Sequence, residues 1–334
     1  MQKITIEKIK RKIRGRIVSS LRNKKIYPYM YRSYWHSLLY RAENADTTSI
    51  YYAARPNPGA GIGHQMANWI AGLWYAKQFG LQFAHMPFPS SQWEHFLGFG
   101  EGTVTVEDLK RRGYAVRRLP LFDENNADEI ALQKRIISSY SSKKVVFIAE
   151  QDQFYGNQYG VMDDIQSAFY NAPARKSDKL QYSTDHFNIA IHVRRGDILS
   201  DPTNPNLTMR FLANDYYDKV LSQTIETLQT TIQKPLHIWL FSQGKPEDYP
   251  EFSKYENLHW CMDMGAQQSF LHMVYADLLI TSKSSFSYKP ALLSHGIKIC
   301  PKNFWHGYPN TKDWILCEND GKFDTTQLKN AIIS

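Results

Sequence analysis

Two adjacent arginines at the end of an apolar run are the residues of this chain best suited to chemistry. Asn188 to Asp197 reads N-I-A-I-H-V-R-R-G-D. Ile189, Ala190, Ile191 and Val193 suit a buried strand, which stops at Arg194, Arg195, Gly196 and Asp197. A strand that delivers two guanidinium groups to a loop makes an anion site at the edge of a sheet, where α/β folds hold their ligands. The planar fork of arginine meets phosphate oxygens two at a time and keeps its charge at any physiological pH. The pair therefore suits a pyrophosphate, with His192 before it and Asp197 after it.

A second candidate is the turn Gly59-Ala60-Gly61-Ile62-Gly63-His64. Its third glycine comes two residues after the second rather than three, and Leu81 to Phe88 offers no acid to hold a ribose. A nicotinamide or flavin role, and with it an oxidoreductase, is disfavoured. Two readings remain, a tight turn before a helix or a backbone-lined floor that a sugar or phosphate approaches closely. The third candidate is Ser282-Lys283-Ser284-Ser285-Phe286-Ser287, between an apolar strand and a helix start. Its hydroxyls and backbone N–H groups suit either an anion or ordinary helix capping. The arginine and serine loops each follow a strand of the same half of the chain, which implies one ligand with two adjacent phosphates.

No metal is expected. Asp-x-Asp does not occur, and the eleven histidines show no paired ligand spacing. Protein cations in place of a metal fit that pattern. A Walker loop and a GxSxG elbow are also missing.

The elements that must position these loops are legible in outline. Strands are predicted at residues 49–54, 81–85, 143–149, 236–241, 277–281 and 297–301, the last of the chain. Helices are predicted at 65–79, ending at Gly80, at 214–231, at 267–275 and from the serine loop to about Leu293. Alternating strand and helix is the pattern of an α/β protein with parallel sheets. The 334 residues suffice for two domains, and the polar stretch 171–188 is the expected junction. The boundaries are thus a segment 1–48, an α/β domain 49–180 and a second α/β domain 181–334 that holds the arginine and serine loops.

Charge is concentrated at the start. Of 40 basic and 32 acidic side chains, residues 1–25 hold ten and one, leaving 30 against 31 elsewhere. Ile6, Ile9, Ile13, Ile17 and Leu21 recur at helical spacing among those bases, and Tyr27, Tyr29, Tyr31, Tyr34 and Trp35 follow. A basic amphipathic helix beside aromatics suits an anionic membrane surface; a helix docked on the body is the other reading. The near-neutral remainder speaks against nucleic acid as a partner. The three cysteines suit a reducing compartment. With no apolar run long enough to span a bilayer, a cytoplasmic protein, peripheral on the inner face of the membrane, is expected.

The motif His192-Val193-Arg194-Arg195-Gly196-Asp197 resembles the H-x-R-R-x-D motif of the α1,2-, α1,6- and protein O-fucosyltransferases. Asp277 to Leu293 is similar to the later motif of the family 11 glycosyltransferases, the α1,2-fucosyltransferases. Gly61-Ile62-Gly63-His64-Gln65-Met66 resembles their early G-x-G-N-Q-M element. The order is the same, across about residues 59–306. His64 stands where that family has Asn, Tyr288-Lys289-Pro290 replaces Trp-Trp-Ala, and residues 90–185 match nothing. The resemblance implies a GT-B-like fold of two Rossmann-type domains facing a cleft, with 49–180 on the acceptor side and 181–334 binding the nucleotide sugar. It implies an inverting, metal-independent enzyme that moves L-fucose from GDP-fucose to a hydroxyl of a glycan or lipid-linked oligosaccharide, α1,2 linkage favoured. Arg194 would neutralise the departing GDP, supported by Arg195 and His192. Ser284, Ser285, Phe286, Gly61, Gly63 and Gln65 would complete the donor pocket, and Asp197 or His64 would be the base. A different nucleotide sugar, or a phosphoglycan-binding module without turnover, are the alternatives.

Overall fold

The computed structural model describes residues 6–40, 46–149, 156–200, 203 and 209–333, without the side chains of Glu7, Lys8, Arg11, Asp197 and Ser200. The chain divides into two compact units. The first comprises Met1–Asn57, Asn68–Pro87 and Gly102–Phe154; the second comprises Pro58–Ala67, Phe88–Glu101 and Tyr155–Ser334.

The first unit contains α1 (Ile6–Leu21), α2 (Arg32–Leu39), β1 (Ile50–Ala53), most of α3 (Ile62–Gln78), β2 (Gln82–Phe83), α4 (Val106–Arg111), β3 (Ala115–Arg118), α5 (Ala127–Ser138) and β4 (Val145–Ile148). Its sheet runs β2-β1-β4-β3, all parallel. Val145 to Ile148 are buried throughout, as strands covered on both faces must be. Ala53, Ala84, Val106, Leu109, Val146 and Ile148 form one core cluster here. The helix expected from the basic segment is α1. Its last turn packs on the unit: Val18 joins Tyr27, Tyr31 and Leu121, with Leu21 and Tyr34 against them, and Arg14 lies 6.0 Å over the Tyr31 ring.

The second unit contains α6 (Met162–Asn171), β5 (Phe187–His192), α7 (Asn214–Gln229), β6 (Leu236–Phe241), β7 (Leu258–Trp260), α8 (Ala266–Tyr275), β8 (Leu278–Ile280), α9 (Ser285–Leu293), β9 (Ile297–Pro301), β10 (Trp314–Cys317) and α10 (Thr325–Ile333). Its six parallel strands run β10-β9-β8-β5-β6-β7. Counted within the unit and read from β7, the order is 3-2-1-4-5-6, that of a dinucleotide-type doubly wound sheet. Ile189, Ile191, Ile238, Leu240, Leu278, Ile280 and Ile299 are buried in its core with Val220 and Leu221 of α7. The α/β plan of two parallel-sheet units is therefore what the chain adopts.

One sequence expectation fails. Ile297–Pro301 is not the last strand, because Trp314–Cys317 pairs with it in parallel from Trp314↔Lys298 to Cys317↔Pro301. Four residues after a polar turn carry too short a pattern to read in the sequence. The three-residue β7 and the Arg-containing β3 lacked a readable pattern for the same reason.

Candidate functional site

The doubly wound sheet has its switch point between β5 and β8, where the strand order reverses. Ligands of open α/β sheets bind beyond the carboxyl ends of the strands at such a point. β5 pairs with β8 from Ile189↔Leu278 to Ile191↔Ile280. The arginine loop leaves the end of β5 and the serine loop leaves the end of β8, so the topology sets them side by side. A direct bond joins them: His192 Nδ1 and Ser282 Oγ are 2.7 Å apart. The His192 ring also lies 5.5 Å from that of Phe286.

His192 is buried, and burial, with the nearby Arg194 charge second, pulls its imidazole down to about 3. It is neutral at physiological pH. It therefore links the two loops without contributing a positive charge.

The two arginines have different fates. Arg194 is half-buried beyond β5, with its charge felt at His192. Arg195 is buried and turned into its own unit. Its Nη1 donates to the carbonyls of Arg194, at 2.7 Å, and Leu212, at 3.0 Å, and its Nη2 donates to Asn214 Oδ1. Its guanidinium also lies 4.8 Å over the Phe211 ring. These bonds fasten the 209–214 loop to the end of β5. Gly196 follows with φ +71°, a left-handed conformation that glycine adopts without strain. Asp197 opens the short helix Asp197–Ser200, but its side chain lies outside the described residues.

The serine hydroxyls are already engaged. Ser284 caps α9 by accepting from the Phe286 N–H at 3.2 Å. Ser287 Oγ accepts from the Ser282 N–H at 3.1 Å. Ser285 Oγ lies 3.1 Å from His306 Nε2. The capping reading thus accounts for Ser284, and the loop is a self-bonded turn that holds Ser285 and Phe286, both half-buried, at the head of α9.

The glycine loop reaches the same turn. A Cβ on Gly63 would lie 2.6 Å from the carbonyl carbon of Ser285, 2.7 Å from its oxygen and 2.9 Å from the Phe286 nitrogen. Glycine is needed there for backbone packing. Gly61 has nothing within 4 Å of a Cβ position and faces open space. Gln65 Nε2 donates to the Ala60 carbonyl at 2.7 Å and closes the loop on itself. His64, half-buried, sits on the first turn of α3 with its N–H on the Gly61 carbonyl. The part of the sequence-predicted set brought together is therefore His192, Gly63, Ser285 and Phe286, with Arg194 two residues past His192. Ser282 and His306 are not foreseen. Ser282 lies inside the serine run, where burial at a strand end could have singled it out. His306 carries no local signal.

No family model matches this chain, and no curated protein matches it. Among solved structures it is similar to POFUT1 in complex with GDP, at 12% identity and a TM-score of 0.44, over 79% of this chain and 98% of that one. It is similar to the NodZ alpha-1,6-fucosyltransferase soaked with GDP-fucose, at 12% identity and 0.40, over 74% and 93%. It is also similar to the E. coli heptosyltransferase WaaC with ADP, at 11% identity and 0.38, over 85% and 97%. At these identities and TM-scores, none of these likenesses assigns a residue or a substrate to this chain.

Proposed function

We propose that the chain is an inverting, metal-independent glycosyltransferase that moves a sugar, L-fucose from GDP-fucose, to a hydroxyl of a glycan acceptor in α1,2 linkage. The single observation that carries the reading is the meeting of the Arg194 loop and the Ser282–Ser287 loop at the β5/β8 switch point, tied by the His192–Ser282 bond. A nucleoside diphosphate seated there would have Arg194 beside its phosphates.

In such a transfer the acceptor oxygen forms a bond to the anomeric carbon as the bond to the diphosphate breaks. The electron pair leaves with GDP. Arg194 stabilises that growing negative charge, a contribution of about 3–4 kcal/mol for one preorganised donor. His192 stays neutral and orients Ser282. Asp197 or His64 takes the acceptor proton. The acceptor is a glycan or lipid-linked oligosaccharide, and the enzyme rests on the cytoplasmic face of an anionic membrane. Among the described residues no helix is long and apolar enough to cross one, while the isoleucines of α1 are exposed.

The test is a panel of GDP- and UDP-sugars, each incubated with the protein in the presence of a chelator, with nucleotide release and affinity both measured. GDP-fucose is expected to bind most tightly and to release GDP. Saturable binding with no release under any acceptor would reduce the protein to a binding module. Release from another nucleotide sugar alone would keep the enzyme and change its donor.

A further inference from the structure

We infer that Lys289 and Gln158 are positioning residues of the donor site: they clip α3 to α9 one helical turn behind the point where the two helices touch. The inference rests on the donor-site reading above.

The helices touch at Gly63 and Ser285, where a Cβ on the glycine would lie 2.6 Å from a backbone carbon. Four residues further on, each helix brings a second group to the same side, because residues four apart lie one above the other. On α9 that residue is Lys289, and on α3 it is Ala67. Gln158, at the start of the short turn Gln158–Val161, joins them. Lys289 Nζ donates to Gln158 Oε1, and Gln158 Nε2 donates to the Ala67 carbonyl at 2.7 Å. All five residues belong to the second unit.

The sense of these bonds is fixed. A carbonyl oxygen only accepts, so the carboxamide nitrogen must face Ala67 and its oxygen must face Lys289. Lys289 is 0% and Gln158 2% exposed, so bulk water cannot replace either bond. Among the described residues no carboxylate pairs with Lys289, and burial holds its amine well below the ordinary 10.5. A methionine would fill much the same volume without taking an amine out of water. Stability alone therefore does not account for a lysine here. What lysine supplies and methionine lacks is the donor that orients Gln158, and through it the set of the α3 head against Ser285 and Phe286. The Gly61–Gly63 loop and the serine turn then form one floor of fixed spacing. Misplacing groups at a reacting centre by about 1 Å costs on the order of a hundredfold in rate.

The test measures GDP release from GDP-fucose, or release from whichever nucleotide sugar the panel above selects, together with melting temperature. It uses the full chain as wild type, Lys289→Met, Gln158→Leu, Gln158→Glu and the double variant Lys289→Met with Gln158→Leu. Lys289→Met is expected to lower kcat/KM about tenfold or more while melting within about 4 °C of wild type. Gln158→Leu should lose as much, and the double variant no more than the worse single one, because both act through one path. Gln158→Glu should lose activity too: lysine keeps a partner, but a carboxylate oxygen is set against the Ala67 carbonyl. Wild-type rates in Lys289→Met or Gln158→Glu would overturn the inference, as would additive losses in the double variant. Activity that falls in step with melting temperature, or variants that do not fold, would mark a purely structural role and overturn it as well. These outcomes leave the donor-site reading standing. A wild type that releases no nucleotide from any sugar of the panel overturns that reading and this inference together.

Discussion

The first turn of α3 and the head of α9 meet at Gly63 and Ser285, so closely that no side chain fits between them. A Cβ on Gly63 would meet the Ser285 carbonyl carbon at 2.6 Å, its oxygen at 2.7 Å and the next nitrogen at 2.9 Å. All three are backbone atoms in a turn held by its own hydrogen bonds, so the contact cannot be relieved by rotating a side chain. Gly63→Ala is expected to destabilise the fold by about 1–3 kcal/mol, the usual range for overpacking. Gly61→Ala meets nothing within 4 Å and should change stability by less than about 0.5 kcal/mol. Urea denaturation of both variants checks the pair. Equal midpoints would show that the two glycines are interchangeable and that the close packing is absent.

The two arginines of the motif should separate in their effects. Arg194→Ala is expected to lower turnover about a hundredfold or more, measured as GDP release. Arg194→Lys should not restore it. Arg195→Ala should instead lower stability by about 1–3 kcal/mol, since it leaves the Leu212 and Arg194 carbonyls without their donor. Near-normal turnover in Arg194→Ala would remove the transferase reading. A normal melt for Arg195→Ala would show that its three bonds hold nothing.

Much of this site is legible in the sequence, and the boundary is physical. An apolar run that ends in Arg194-Arg195 announces a buried strand and a charged loop, because strand burial writes itself into consecutive residues. The serine loop after β8 is legible for the same reason. The direction of Arg195 is not, because it is decided by a carbonyl 17 residues further on. The contact of Ser285 with His306 is not legible either, because 21 residues separate them with no shared period. Gly63 is legible as a glycine needed for close approach, but the sequence leaves open whether a ligand or the Ser285 backbone makes the approach.

His192 makes stability fall with acidification. Its imidazole is held at about 3 in the folded chain, against an ordinary 6.5, because burial disfavours the charged form. Between those values the unfolded chain binds a proton that the folded chain does not, so stability falls as pH falls through that window. One such group gives a slope of about 1.4 kcal/mol per pH unit. His237, His259 and His272 are also lowered by burial and act in the same sense. Denaturation midpoints for wild type and His192→Asn between pH 7 and pH 4.5 isolate the contribution. The variant should show a shallower slope by roughly one proton. An identical slope would place a charged His192 in the fold and reopen it as a phosphate ligand.

The basic helix α1 carries the remaining prediction. Its last turn packs through Val18 and Leu21, yet Ile6, Ile9, Ile13 and Ile17 are 71%, 47%, 53% and 42% exposed. The docked-helix reading would cover that stripe, and the first unit leaves it open. Lys10, Lys12, Arg14 and Arg16, all exposed, share the helix with it. Trp35, Leu38 and Leu39 add exposed apolar surface on α2. Insertion of one isoleucine below the headgroups is worth about 1.5–3 kcal/mol, and each basic residue near an anionic surface about 1 kcal/mol. Together these exceed what either contributes alone, so binding should need both an apolar interior and negative lipid. Wild type is expected to sediment with phosphatidylserine-containing vesicles, less with neutral ones, and less again as salt rises toward 0.5 M. Ile9→Glu with Ile13→Glu should abolish sedimentation with little change in melting temperature, since both side chains are exposed. If the double variant sediments like wild type, or if neutral vesicles bind equally well, the exposed stripe serves some other contact and membrane association falls.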